Sequence, residues 1–284
     1  MTGNRGGVVI SGASTGIGRA CALRLDSLGF DVFAGIRKQA DADALRARAS
    51  ERLVPVVLDV TDQQSIEAAA RQVSDSVGER GLAGLVNNAG ITVTGPLEFL
   101  PLEEFRRQLE VNLIGQLAVT QSFLSLLRRD RGRVVNVSSI GGRVALPFLG
   151  PYAASKFGLE GLSDSLRREL RPWGIEVSVI EPGSVATPIW EKGVAAGDAL
   201  LERVPPEGRS LYGDRIASLR KVAQATADRG MPPEEVARVI EHALTADRPR
   251  TRYLVGRDAK MRGRIARFVP DRLFDRLIAR AMDR

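Results

Sequence analysis

The chain has 284 residues, 44% hydrophobic and 26% charged, a profile that fits a soluble globular protein long enough to bury a core. No apolar run is long enough to span a bilayer, the polar segment 1–7 predicts no signal peptide, and the one cysteine, Cys21, excludes an internal disulfide; a cytoplasmic protein is expected. The net charge of +7 is mostly a C-terminal property, because residues 257–284 hold nine Lys/Arg against four Asp, a net +5, and no nucleic-acid-binding motif accompanies it.

Apolar runs of strand length fall at 8–11, 31–36, 54–58, 84–87, 133–138, 176–181 and 252–255. Stretches of helical period lie at 18–28, 40–50, 63–77, 102–127, 151–171 and 233–246. Near-continuous apolar strands, each followed by a helix, specify a parallel sheet covered on both faces, and right-handed crossovers make it doubly wound. The expected fold class is α/β: one Rossmann-type domain over 1–256, with about seven parallel strands and helices on both faces. Residues 187–231 form an insertion that is expected to act as a substrate lid. Residues 257–284 form a basic extension, predicted as two amphipathic helices broken at Pro270.

The chemistry-bearing segments follow the strands. The first strand runs into Ser11-Gly12-Ala13-Ser14-Thr15-Gly16-Ile17-Gly18 and then a helix. Glycines at a strand-to-helix turn let backbone approach a bulky anion, and the helix N-terminus offers unpaired N–H groups to a pyrophosphate. At the end of the second strand, Ile36 stands where an acidic residue would bind a free ribose 2′-hydroxyl, and Arg37 and Lys38 follow. Both cations suit a 2′-phosphate, so NADP(H) is favoured and NAD(H) is the alternative. Asp59, followed by Val60, ends the third strand, placed either to accept from an adenine amino group or to cap the next helix.

Asn87-Asn88-Ala89-Gly90 follows the fourth strand, Asn136-Val137-Ser138-Ser139 closes the fifth, and Tyr152-Ala153-Ala154-Ser155-Lys156 opens a long helix. With the glycine turn, these segments resemble the short-chain dehydrogenase/reductase family in order and spacing over residues 6–254. The resemblance implies hydride transfer between a carbinol carbon and nicotinamide, which requires a proton to move at the oxygen. Tyr152 and Lys156, four apart on one helical face, are the expected acid/base and its tuner. A tyrosine at its ordinary pKa of about 10 is a poor base, and a nearby ammonium would lower it. Lys156 is also implied to hold the nicotinamide ribose. Ser139 lies thirteen positions before Tyr152, the family's offset for the serine that binds the substrate oxygen; strand alternation lets only one of Ser138 and Ser139 face the site. Asn112 resembles the family's fourth member, holding a water that relays protons to Lys156. Asn88, Ala89 and Gly90, and the turn Pro182-Gly183-Ser184-Val185-Ala186-Thr187, are implied cofactor contacts, with Val185 and Thr187 near the carboxamide.

The candidate substrate lining is Val93, Val144, Leu146, Phe148, Leu149, Ile189 and Trp190, which fits a small hydrophobic carbonyl or alcohol. Arg143 is the one residue that would argue for an anionic substrate instead. Residues 53–91 and 159–171 are most similar to the retinol- and steroid-dehydrogenase branch. A 3-oxoacyl-thioester reductase is the alternative activity. A non-enzymatic cofactor-binding regulator would have lost Tyr152 or Lys156, and both are present. The family resemblance implies a homodimer or homotetramer through the helices at 102–127 and 151–171. The tail is expected to pack on the body, on a second subunit, or on an anionic membrane surface. Cys21 and His242 are read as structural, and no metal site is expected.

Overall fold

The structure, a computed structural model, describes residues 5–213, 216 and 229–282. Seven strands form one sheet: β1 (Gly7–Ile10), β2 (Asp31–Ile36), β3 (Leu53–Val57), β4 (Leu82–Asn87), β5 (Arg133–Val137), β6 (Glu176–Pro182) and β7 (Arg252–Val255). Their spatial order is β3-β2-β1-β4-β5-β6-β7, and every neighbouring pair is parallel. The chain winds outward from β1 to β3, then returns to lay β4 on the other side of β1. That reversal opens a crevice at the C-terminal ends of β1 and β4, where ligands of such sheets bind.

The helices are α1 (Gly16–Ser27), α2 (Gln39–Arg46), α3 (Gln63–Val77), α4 (Leu102–Leu109), α5 (Gly115–Asp130), α6 (Gly150–Leu170), α7 (Ile189–Arg203), α8 (Pro233–Thr245), α9 (Arg257–Phe268) and α10 (Asp271–Met282). They cover both faces because the strands alternate their side chains between two cores. Val8 and Ile10 join Cys21, Leu25, Ile180 and Ile240 on the face of α1 and α8. Val9 points the other way, to Leu85, Phe123, Leu127 and Val177 beneath α3 and α5.

The expected strands all form, each within two residues of its expected ends, and two helices differ instructively. The single helix expected over 102–127 is interrupted by a π-helical turn at Glu110–Ile114. Just past it, Gly115 comes so close to the loop after β3 that a Cβ there would lie 2.4 Å from the Val60 carbonyl oxygen. The helix expected over 40–50 stops at Arg46, because Ser50 turns back to donate its N–H and hydroxyl to Asp26 at 2.9 and 2.5 Å. The tail forms two helices on either side of Pro270 as expected. Its inner face packs on the body: Ala259 joins Ile140 and Val144, with Leu146, Leu254, Ala266 and Phe274 around them.

Candidate active site

The crevice is a cavity of about 380 Å³ where the ends of β1, β4, β5 and β6 meet. Its floor is the glycine turn. Gly12 and Gly16 hold φ of +66° and +54°, the left-handed region that glycine adopts without strain. Gly12, Ser14, Thr15, Gly16 and Ile17 line the cavity. Gly18 does not: a Cβ there would lie 2.2 Å from the Gly12 carbonyl oxygen and 2.5 Å from the Asn88 amide nitrogen. Its glycine lets α1 pack against the turn, beside the cavity lining. Thr15 places no side-chain cap on α1, so the helix's first N–H groups and its dipole face the cavity. An uncapped N-terminus at a glycine turn fits a dinucleotide pyrophosphate.

Asn88 ties β4 to this turn. Its amide donates to the Ser11 and Gly12 carbonyls, both at 3.0 Å, while the Ser11 hydroxyl accepts from the N–H groups of Asn88 and Ala89. Asn88, Ala89 and Gly90 line the cavity, as do Arg37, Asp59 and Val60 at its adenosine end. Asp59 accepts from the N–H and hydroxyl of Thr61 at 3.0 and 2.8 Å. Burial raises its carboxyl, but the Thr61 bonds and the Arg37 guanidinium outweigh that and hold it below the ordinary range. Asp59 does not cap α3; Asp62 does, accepting from the Gln64 N–H. Lys38 takes the exposed N-cap position of α2, and Arg37 is the member of this pair that lines the cavity.

At the other end, Asn112, Ser139, Tyr152 and Lys156 converge on the same cavity. Tyr152 and Lys156 lie one turn apart on α6, and the ammonium nitrogen is 5.8 Å from the centre of the Tyr152 ring. Lys156 donates to the Val137 carbonyl at 2.8 Å, which anchors it to the end of β5. The Ser139 hydroxyl accepts from the Gly141 N–H at 3.0 Å and stands on the Tyr152 side of the cavity, near enough to lower the pKa of the phenol. The Ser138 hydroxyl instead is buried beside Gly142 without a hydrogen-bond partner, so Ser139 is the serine that meets the tyrosine. The electrostatics depart from expectation. Burial pushes the Tyr152 phenol above its ordinary value, and the nearby Ser139 hydroxyl lowers it only in part. Burial likewise pulls Lys156 down to about 8, with the Glu160 carboxylate opposing. The ammonium is directed at the Val137 carbonyl, and burial is the larger effect on the phenol.

A family model described as short chain dehydrogenase matches residues 7–196. The chain belongs to the short-chain dehydrogenase family. Retinol dehydrogenase 5 of Mus musculus is 42% identical over 277 residues, covering 95% of this chain and 87% of its own. The 17-beta-hydroxysteroid dehydrogenase type 6 of Bos taurus is 41% identical over 281 residues, covering 96% and 88%. A crystal structure of a short chain dehydrogenase from Burkholderia cenocepacia in complex with NADP is 25% identical, with a TM-score of 0.73 over 98% of this chain and 99% of that one. This short-chain dehydrogenase is accordingly a nicotinamide-dependent oxidoreductase of the retinol and steroid dehydrogenase branch.

Two residues of the dehydrogenase's site escaped the sequence reading. Gln108 and Gln116 stand four positions either side of Asn112, and all three amides hold the segment after β4. Gln108 accepts from the Val93 N–H and donates to the Ile91 carbonyl, at 2.6 and 2.9 Å. Asn112 accepts from the Ile91 N–H at 2.9 Å and donates to the Ile91 carbonyl at 3.0 Å. Gln116 donates to the Ala89 carbonyl at 2.8 Å. The signal was present as a repeat of amides four residues apart on one helical face.

The substrate end is less apolar than expected. Ile189 and Trp190 line the cavity, but so do Arg107 and Lys192. Val144 and Leu146 face the tail instead, Val93 is fully buried, and Phe148 packs edge-on against Tyr212. Arg143 turns from the cavity to the Glu181 carboxylate at 2.7 Å. In the expected lid, Gly193 and Gly197 sit within α7 against Thr92 and Thr94, where a Cβ on Gly197 would lie 2.3 Å from the Thr94 hydroxyl. Residues 214–215 and 217–228 of that segment lie outside the described residues.

Proposed function

We propose that this short-chain dehydrogenase interconverts a hydrophobic secondary alcohol with its ketone, or an alcohol with its aldehyde, with Tyr152 as the group that gives and takes the proton. The observation that supports it best is the convergence of Asn112, Ser139, Tyr152 and Lys156 on the same cavity as the uncapped N-terminus of α1. The bound nicotinamide supplies or accepts the hydride. Ser139 orients the substrate oxygen, Tyr152 exchanges a proton with it, and Lys156 binds the ribose hydroxyls. Asn112, held by Ile91 and by a 3.3 Å bond to the Ser155 hydroxyl, anchors a water relay towards Lys156. Burial keeps the phenol protonated at neutral pH, which suits donation to a carbonyl oxygen. The test is turnover by Tyr152→Phe with cofactor binding checked separately. Loss of at least about a hundredfold in kcat is expected. Near-wild-type turnover refutes the assignment.

NADP(H) is the proposed cofactor, because Arg37 lines the cavity where β2 ends and no carboxylate follows that strand. Arg37→Ala is expected to weaken NADPH binding about tenfold or more while leaving NADH nearly unchanged. Equal losses for both sink the preference. The similarity to retinol and hydroxysteroid dehydrogenases makes a retinoid or a hydroxysteroid the first substrates to assay, with Trp190 and Ile189 offering apolar surface. Exposed Leu102, Ile114 and Phe157 on the α4–α5 and α6 faces favour a homodimer or homotetramer, which sedimentation velocity tests. Among the described residues no helix is long and apolar enough to cross a membrane. The outer face of the tail, with Phe268, Leu273 and Leu277 exposed among arginines, suits peripheral contact with anionic lipid, which liposome co-sedimentation tests.

A further inference from the structure

The Pro182–Thr187 turn is held from two sides. On one side Met231 runs beside it: the Met231 N–H donates to the Ser184 carbonyl at 2.9 Å, and the Ala186 N–H donates to the Met231 carbonyl at 3.0 Å. On the other side stands Asp258, in the first turn of α9 and so part of the C-terminal extension. Its carboxylate accepts from the Ser184 N–H at 2.8 Å. Two glycines make room for it. A Cβ on Gly183 would lie 2.2 and 2.4 Å from the two carboxylate oxygens, and a Cβ on Gly256 would lie 2.7 Å from one of them. Gly183 lines the cavity on one side, and on the other its lack of a side chain makes room for Asp258.

The same helix touches the other half of the site. Ala259 and Ala266 pack against Ile140 and Val144, directly after Ser139, and a Cβ on Gly263 would lie 3.7 Å from Ile140. One element therefore braces the turn on the expected nicotinamide side and the turn that carries Ser139. A hydrogen bond to a carboxylate is stronger than a neutral one and fixes the donor's direction.

We propose that Asp258 is a positioning residue for cofactor binding: through the Ser184 N–H it fixes the Pro182–Thr187 turn, so that the C-terminal extension completes the nicotinamide site without touching the cofactor. The proposal rests on the reading that nicotinamide lies against this turn. It also implies reciprocity, because a contact that aids cofactor binding must itself be stabilised by the cofactor.

The experiment uses the full chain, and the first readout needs no turnover. In the cofactor-free protein, Asp258→Ala should speed hydrogen exchange at the Ser184 amide. In fluorescence titrations it should raise the NADPH Kd about tenfold. Asp258→Asn, which keeps an acceptor oxygen, should rescue most of both effects. Gly183→Ala should weaken NADPH binding in the wild-type background but add little in Asp258→Ala, where the methyl has room. In the unsubstituted protein, NADPH should slow exchange at residues 256–260. The proposal is overturned by unchanged exchange at Ser184, by a lowered melting temperature with an unchanged Kd, by additive Gly183 and Asp258 effects, or by no protection of residues 256–260. None of these binding and exchange measurements needs turnover, so a failure of the proposed proton chemistry leaves them unchanged and is distinguishable from a failure here.

Discussion

Arg252→Met tests the ionic cluster behind the catalytic helix. Arg252 leaves β7 and reaches Glu160 at 2.9 Å and Asp164 at 3.1 Å, both on α6, and Glu181 on β6 at 3.6 Å. The Glu181 side chain is fully buried and that of Glu160 is 11% exposed. Each has one carboxylate oxygen without a hydrogen-bond partner, so the cluster is short of donors even with Arg252 present. Methionine keeps the length of the stem and removes the charge. Stripping one partner from a buried ion pair costs about 3–5 kcal/mol. Here Arg143 still serves Glu181 and the Arg252 side chain is 27% exposed, which lowers the expected cost to about 2–3 kcal/mol. For a chain of this size that is about 4–12 °C in Tm. The deficit should also depend on pH. Burial, then repulsion from Glu160, raises Glu181 from 4.5 to about 7, against the pull of Arg143 and Arg252. A carboxyl raised in the folded state contributes stability that is complete below its ordinary value and is lost as pH rises through 7. Without Arg252 the folded value climbs further, so more stability is lost on the alkaline side. Urea unfolding of both proteins at pH 6 and pH 8.5 measures this. A deficit that shrinks at pH 8.5, or one below about 0.5 kcal/mol, would refute the reasoning.

Two further substitutions or reagents probe the fold around the cofactor cleft. Gly18→Ala forces a methyl against the Gly12 carbonyl, and should cost about 1–3 kcal/mol in chemical denaturation and weaken NADPH binding as well; an unchanged midpoint would show that α1 shifts freely. Cys21 is fully buried and its thiol is pushed up to about 12 by burial, so iodoacetamide at pH 8 should label the native protein only as fast as it opens; rapid labelling without denaturant would refute that.

The strand positions and the chemical segments were legible because both rest on local signals. Val8-Val9-Ile10, Val134-Val135 and Val179-Ile180 are apolar without interruption, and only a strand buried on both faces tolerates that. The cavity members Gly12, Tyr152 and Lys156 were legible because each needs a residue type that few others can replace. What stayed hidden depends on contacts between distant segments. Nothing near Lys38 says that it turns to the N-cap of α2 while Arg37 faces the crevice. Gly18 reads as an anion-binding glycine, and only the packed structure shows the Gly12 carbonyl that excludes a side chain there. Arg143 looked like a pocket cation until its partner, Glu181, came from a different strand.

The proton chemistry carries the same lesson one step further. Four-residue spacing rightly places Lys156 beside Tyr152, and from it one infers a lowered phenol. Spacing fixes neighbours, though, and not where a charge is aimed. Lys156 is committed to the Val137 carbonyl and is itself buried enough to fall to about 8, while the phenol is buried and raised. Both shifts have burial as their largest cause, and both favour the neutral group. Around neutrality the side chains thus present a protonated phenol next to a cation that gives up its own proton more readily than an exposed lysine.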